Sequence, residues 1–209
     1  MMRSMGDDSL IPISDEQAKL GQELVKAARD TSGYFADILG DIPHDLIGYL
    51  VGDRLKAKRI ERIEVLWQKT QERLQDRRIN PEPPSLKYAI PILEAAADEE
   101  NGELQDIWSR LLAASMDPSR RDAMRLSFIT VVKHMDPTDV LVFKAIYDHG
   151  PGVAWTTSAN GLIARDLKLA PDEIMVSTNH LDKLSCISGN YDAPYLMPFG
   201  NLLMKAVSG

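Results

Sequence analysis

Residues 104–112 read Leu-Gln-Asp-Ile-Trp-Ser-Arg-Leu-Leu. Leu104, Ile107, Trp108, Leu111 and Leu112 recur at i, i+3, i+4, i+7 and i+8, the spacing that lines apolar side chains along one face of an α-helix. Asn101-Gly102 breaks the chain before this run and Asp117-Pro118 ends it. The stretch therefore predicts an amphipathic helix whose apolar face, Trp108 included, is core.

The same period extends outward in both directions. It dominates residues 14–135, strand-like alternation is nearly absent, and the class is mainly α. Ser14 caps a first helix whose opening turn, Asp15-Glu16-Gln17, is acidic, as the helix dipole favours. After a turn at Gly40-Asp41-Ile42-Pro43, residues 43–78 read as one long helix. Its first part is apolar nearly all round. Its second part sets Ile60, Ile63, Trp67 and Leu74 on one side and Arg54, Lys58, Arg59, Arg62, Lys69, Arg73 and Arg77 on the other. Three prolines make residues 80–85 a non-helical linker. A helical pattern resumes at Leu86, and Pro91 is read as the first residue of a fresh helix, where its missing N–H does no harm.

Beyond Met135 the pattern changes. Asp136-Pro137 opens a very apolar helix closed by His149-Gly150-Pro151-Gly152. A helix with Leu162, Ile163 and Leu167 follows, then one opened by Pro171-Asp172-Glu173. A turn at Ser188-Gly189-Asn190 joins residues 185–187 to residues 191–196 as a small β-hairpin, before a last helix from Pro198. Three helices and a hairpin form a winged-helix pattern. The expected organisation is a mobile tail over residues 1–13, a helical bundle over 14–135 and a winged-helix-like C-terminal module over 136–209.

Composition excludes several classes. With 44% hydrophobic and 26% charged residues the chain is that of an ordinary globular protein. The single cysteine, Cys186, cannot form an internal disulfide, which suits a reducing, cytoplasmic setting. His44, His134, His149 and His180 are scattered without ligand spacing, so no metal or cofactor site is read from them. The apolar stretch 38–55 contains Asp41, Asp45 and Asp53, too many charges for a membrane span of ~20 apolar residues. No stable membrane insertion is expected. A net charge of −7 means that any polyanionic partner must meet a local patch.

The run 91–113, Pro-Ile-Leu-Glu-Ala-Ala-Ala-Asp-Glu-Glu-Asn-Gly-Glu-Leu-Gln-Asp-Ile-Trp-Ser-Arg-Leu-Leu-Ala, resembles the abortive-infection alpha family, a bacterial domain of unknown molecular function linked by name to phage exclusion. The shared features are the small residues Ala95, Ala96 and Ala97, the acidic run that follows, and Leu104, Trp108, Leu111 and Leu112. Gly48, Gly52, Asp53 and Arg54, with the basic helix behind them, are similar to the family too, as is Ser127-Phe128-Ile129 leading into Asp136-Pro137. Tyr195-Leu196-Met197-Pro198 is similar to the strand-to-helix junction of winged helices, with Met197 where a capping threonine is usual. The resemblance implies a role in antiviral defence and supplies no catalytic residues.

No phosphate-cradling glycine loop and no nucleophile-base set occurs, so a non-enzymatic interaction protein is expected. The acidic residues Glu94, Asp98, Glu99, Glu100, Glu103 and Asp106 read as a helix start rather than a metal or acid–base site. Residues 54–78 hold nine basic side chains against four acidic ones, a local +5. Arg54, Lys58, Arg62, Lys69, Arg73 and Arg77 are the candidate partner-binding face, for an acidic protein or a nucleic-acid backbone. The alternative is that the stripe folds onto the chain's own acids between Glu94 and Asp106. A membrane-damaging effector using residues 38–55 is a third reading. Residues 137–209 carry five basic and seven acidic side chains, so the C-terminal module suits protein contacts better than DNA.

Overall fold

The computed structural model describes residues 56–149, 159–190 and 193–208. The chain divides into two compact units, Met1–Ala57 and Lys58–Gly209. The expected tail, the helix from Ser14, the apolar stretch 38–55, Gly48, Gly52, Arg54 and the loop after His149 lie outside the described residues.

Among the described residues eight helices and one hairpin follow in order: α1 (Lys56–Asp76), α2 (Leu86–Asp98), α3 (Gly102–Met116), α4 (Leu126–Val132), α5 (Pro137–His149), α6 (Ala159–Leu167), α7 (Pro171–Lys183), β1 (Ile187–Asn190), β2 (Ala193–Leu196) and α8 (Pro198–Val207). A single 3-10 turn, Arg121–Ala123, precedes α4. The chain is mainly helical, as its period predicts.

α3 is the centre. Asn101 caps it, its side-chain oxygen accepting the Glu103 and Leu104 N–H groups at 2.8 and 3.3 Å. Leu104, Ile107, Trp108, Leu111 and Leu112 are all buried, as their spacing demands. The second half of the helix is buried all round, because α2, α4, α5 and α8 each pack against α3. Phe128 on α4 meets Phe199 on α8 edge to face, with ring centroids 5.4 Å apart.

Three expectations need correction. Pro91 does not restart a helix; it lies inside α2. Ala89, Ile92, Leu93, Ala96 and Ala97 form one buried stripe spanning the proline. That burial carries the helix through, and the carbonyl deprived of its amide partner belongs to Lys87, an exposed residue. On α1, the fully buried line is Leu66, Thr70 and Leu74, with Ile63 and Trp67 only half-buried. Thr70 tolerates the interior because its hydroxyl donates to Leu66 O at 2.7 Å and approaches Ser109 O of α3 at 3.3 Å. Finally, Ser188-Gly189-Asn190 is strand, not turn. Gly189 holds φ +112°, which lets β1 run on to Asn190, opposite Ala193, with Ile187 opposite Leu196. Sequence alone could not distinguish this glycine from a turn residue.

The proline-rich segment before α2 is held in place. Pro84 is buried, the Glu82 N–H donates to Met116 O at 2.9 Å, and Arg121 pairs with the Glu82 carboxylate.

Candidate functional site

The site is built where the basic face of α1 meets the acidic connection between α2 and α3. Arg59 Nε lies 2.7 Å from Asp98 Oδ1. Arg62 pairs with the Glu100 carboxylate and donates to Ala97 O at 3.1 Å, capping the end of α2. Arg73 pairs with Asp106 and donates to Lys69 O at 2.8 Å. Much of the stripe therefore neutralises the chain's own acids.

Further along α1 the balance reverses. Asp106 also receives Arg110 Nε at 2.6 Å. Burial pushes its carboxyl up, but the Arg110 hydrogen bond and charge, with Arg73 and Lys69, outweigh it and hold the pKa below the ordinary carboxylate value. Arg110 reaches Val207 O at 2.9 Å and Arg120 reaches Ser208 O at 3.4 Å, so the end of α8 draws both guanidiniums together. Arg120 lies 3.6 Å from Asp117, which is buried. Arg77 completes the group. Burial, then Arg120, Arg110 and Arg73, lower its pKa, while Asp117 pulls the other way. Four arginines thus gather around Asp106 and Asp117. Among the described residues no carboxylate forms an ion pair with Arg77. Beside Arg110 a cleft of about 200 Å³ opens between α3, α5 and α8, lined by Ile107, Val140, Phe143 and Met204 and, at its polar positions, by Glu103, Asp106, Lys144 and Asp148.

The six residues of the candidate face are thus distributed. Arg54 is outside the described residues, Lys58 is exposed at the start of α1, and Arg62 and Arg73 are engaged internally. Lys69 acts on Asp106 through its charge, and Arg77 joins the guanidinium cluster. Arg110 and Arg120 are the residues that sequence reasoning missed. The one local signal was Arg110 standing four residues after Asp106 on α3.

Fold and site together define a mainly helical protein with an arginine-rich face and, among the described residues, no helix long and apolar enough to cross a membrane. The abortive infection alpha family model matches residues 61–198. The chain belongs to that family, whose name suggests involvement in abortive-infection defence. No curated protein and no solved structure matches it.

Proposed function

We propose that this chain is a non-enzymatic, cytoplasmic interaction protein of an abortive-infection type defence system, and that Arg77 with Arg73, Arg110 and Arg120 engages an acidic protein partner. The observation that carries this reading is the grouping of guanidiniums: Arg73 and Arg110 meet at Asp106, Arg120 lies 3.6 Å from Asp117, and Arg77 beside them has no ion pair among the described residues. A partner's carboxylates relieve the repulsion among them and gain paired N–H donors.

We read the C-terminal helices and hairpin, α5 to β2, as a winged-helix-like module for protein contacts. α7, in the position of a recognition helix, begins with exposed Asp172 and Glu173. The Glu173 carboxylate accepts the Ala170 N–H at 2.7 Å and so serves its own helix. Carboxylates there repel phosphates. Beyond them Met175 is 43% and Val176 66% exposed, which fits a protein surface.

The test is Arg77→Glu against Lys58→Glu in cells challenged with phage and in partner capture. Arg77→Glu should lose capture and protection while its melting temperature stays near wild type. The reading fails if Arg77→Glu protects and captures like wild type. Capture that disappears on nuclease treatment and falls steeply with salt would make the ligand a nucleic acid instead.

A further inference from the structure

Asp136 and Asp139 stand at the start of α5, and His180 lies on α7, which packs against α5. One ligand atom from each of the three, a carboxylate oxygen or the imidazole nitrogen, lies within 4.8 Å of the other two. His180 Nδ1 is 2.7 Å from Asp139 Oδ2, and the Asp136 backbone N–H donates to the same oxygen at 2.8 Å. The Asp139 side chain is only 3% exposed, that of His180 33%, and Asp136 is at the surface. The trio therefore runs from a carboxylate out of water to one in it.

Charge is not balanced within the trio. Two carboxylates meet one imidazole, so even with His180 protonated a negative charge remains beside a buried acid.

We propose that Asp136, Asp139 and His180 form a binding site for a divalent transition-metal ion such as Zn²⁺ or Mn²⁺. Two oxygens and one imidazole nitrogen suit these ions, whereas Ca²⁺ and Mg²⁺ favour oxygen alone. The ion displaces the proton that His180 Nδ1 and Asp139 hold between them, and the two groups separate to admit it. The positive end of the α5 dipole, about half a charge, opposes it and is outweighed by two full carboxylates. Three protein ligands leave further coordination positions to water on the Asp136 side. The bound ion fastens the start of α5 to α7.

Calorimetric titration of the full chain with ZnCl₂ and MnCl₂ tests this, comparing wild type with Asp136→Asn and His180→Asn. Asp136→Asn keeps the backbone N–H that Asp139 uses, and His180→Asn keeps a side-chain donor for Asp139. One ion per wild-type chain is expected. Each variant should bind more weakly by more than the roughly 10–100-fold that loss of an outer hydrogen-bond partner produces. No saturable binding by wild type, or undiminished binding by either variant, overturns the proposal. Zn²⁺ titration of the wild-type chain followed by imidazole NMR gives a readout independent of the variants: His180 should shift first. A first shift at His44, His134 or His149 also overturns it.

Discussion

Gly200, in the first turn of α8, lies against the backbone of Cys186. A Cβ at this position would overlap the Cys186 carbonyl oxygen and lie 2.7 Å from its carbonyl carbon. The same oxygen accepts the Met197 N–H at 3.0 Å, one rung beyond the Ile187–Leu196 pair, so the hairpin ladder runs on to the start of α8. Gly200→Ala should destabilise by ~3 kcal/mol, the upper end for overpacking, because backbone rather than a flexible side chain must yield. Denaturant melts of the two proteins check this; equal midpoints would contradict the close approach.

Trp108 is 2% exposed and surrounded by the helices that pack on α3. Trp108→Ala should lower stability by ~3–5 kcal/mol and the melting temperature sharply. A variant that melted like wild type yet lost phage protection would make Trp108 a contact residue instead.

Three helices end on a non-glycine residue in the left-handed region: Arg78 after α1, Lys168 after α6 and Ser185 after α7, with φ between 56° and 59°. In each case the next N–H reaches back five residues, from Ile79 to Leu74, Leu169 to Ala164 and Cys186 to Leu181. This is the helix-ending geometry that glycine favours. Ser185→Gly, which removes no ion pair, should stabilise by ~0.5–1 kcal/mol, since left-handed backbone disfavours a Cβ. A fall in midpoint on chemical denaturation would show that the Ser185 side chain contributes more than its backbone strain removes.

The depressed Asp106 pKa gives a pH dependence with a definite sign. A carboxylate whose folded pKa lies below its unfolded value contributes stability fully above the unfolded value, about 3.9, and loses it as pH falls through the folded one. Wild type should melt above Asp106→Asn at neutral pH, and the gap should close in acid. Melting temperatures recorded across that range decide it; a gap independent of pH would mean that Asp106 is not the linked group.

The sequence made the helices legible wherever apolar residues repeat without interruption, as at Leu104, Ile107, Trp108, Leu111 and Leu112. It misled at Pro91 because local restriction by proline is outweighed by a buried stripe on both sides of it. Thr70 escaped notice because a polar residue enters the core only when its hydroxyl finds carbonyls, here those of Leu66 and Ser109, and such partners appear only on folding. For the site, the basic stripe and the acids between Glu94 and Asp106 were both visible. Their pairing was one of two open alternatives, and it is realised for Arg59, Arg62 and Arg73. The bonds from Arg110 to Val207 and from Arg120 to Ser208, and the Asp139–His180 pair, join residues far apart in the chain, where no short-range period speaks.

The bond from Arg110 to the Val207 carbonyl spans 97 residues of chain, and it carries a consequence for timing. On a ribosome, α3 emerges well before α8 exists to cover it. At roughly 5–20 residues per second, Leu203, Met204 and Val207 arrive on the order of 5–20 s later. Throughout that interval the side of α3 that α8 covers remains open to misplaced apolar contacts. Closure of the native unit is therefore set by the pace of translation through residues 198–208 rather than by helix formation, which is complete within microseconds.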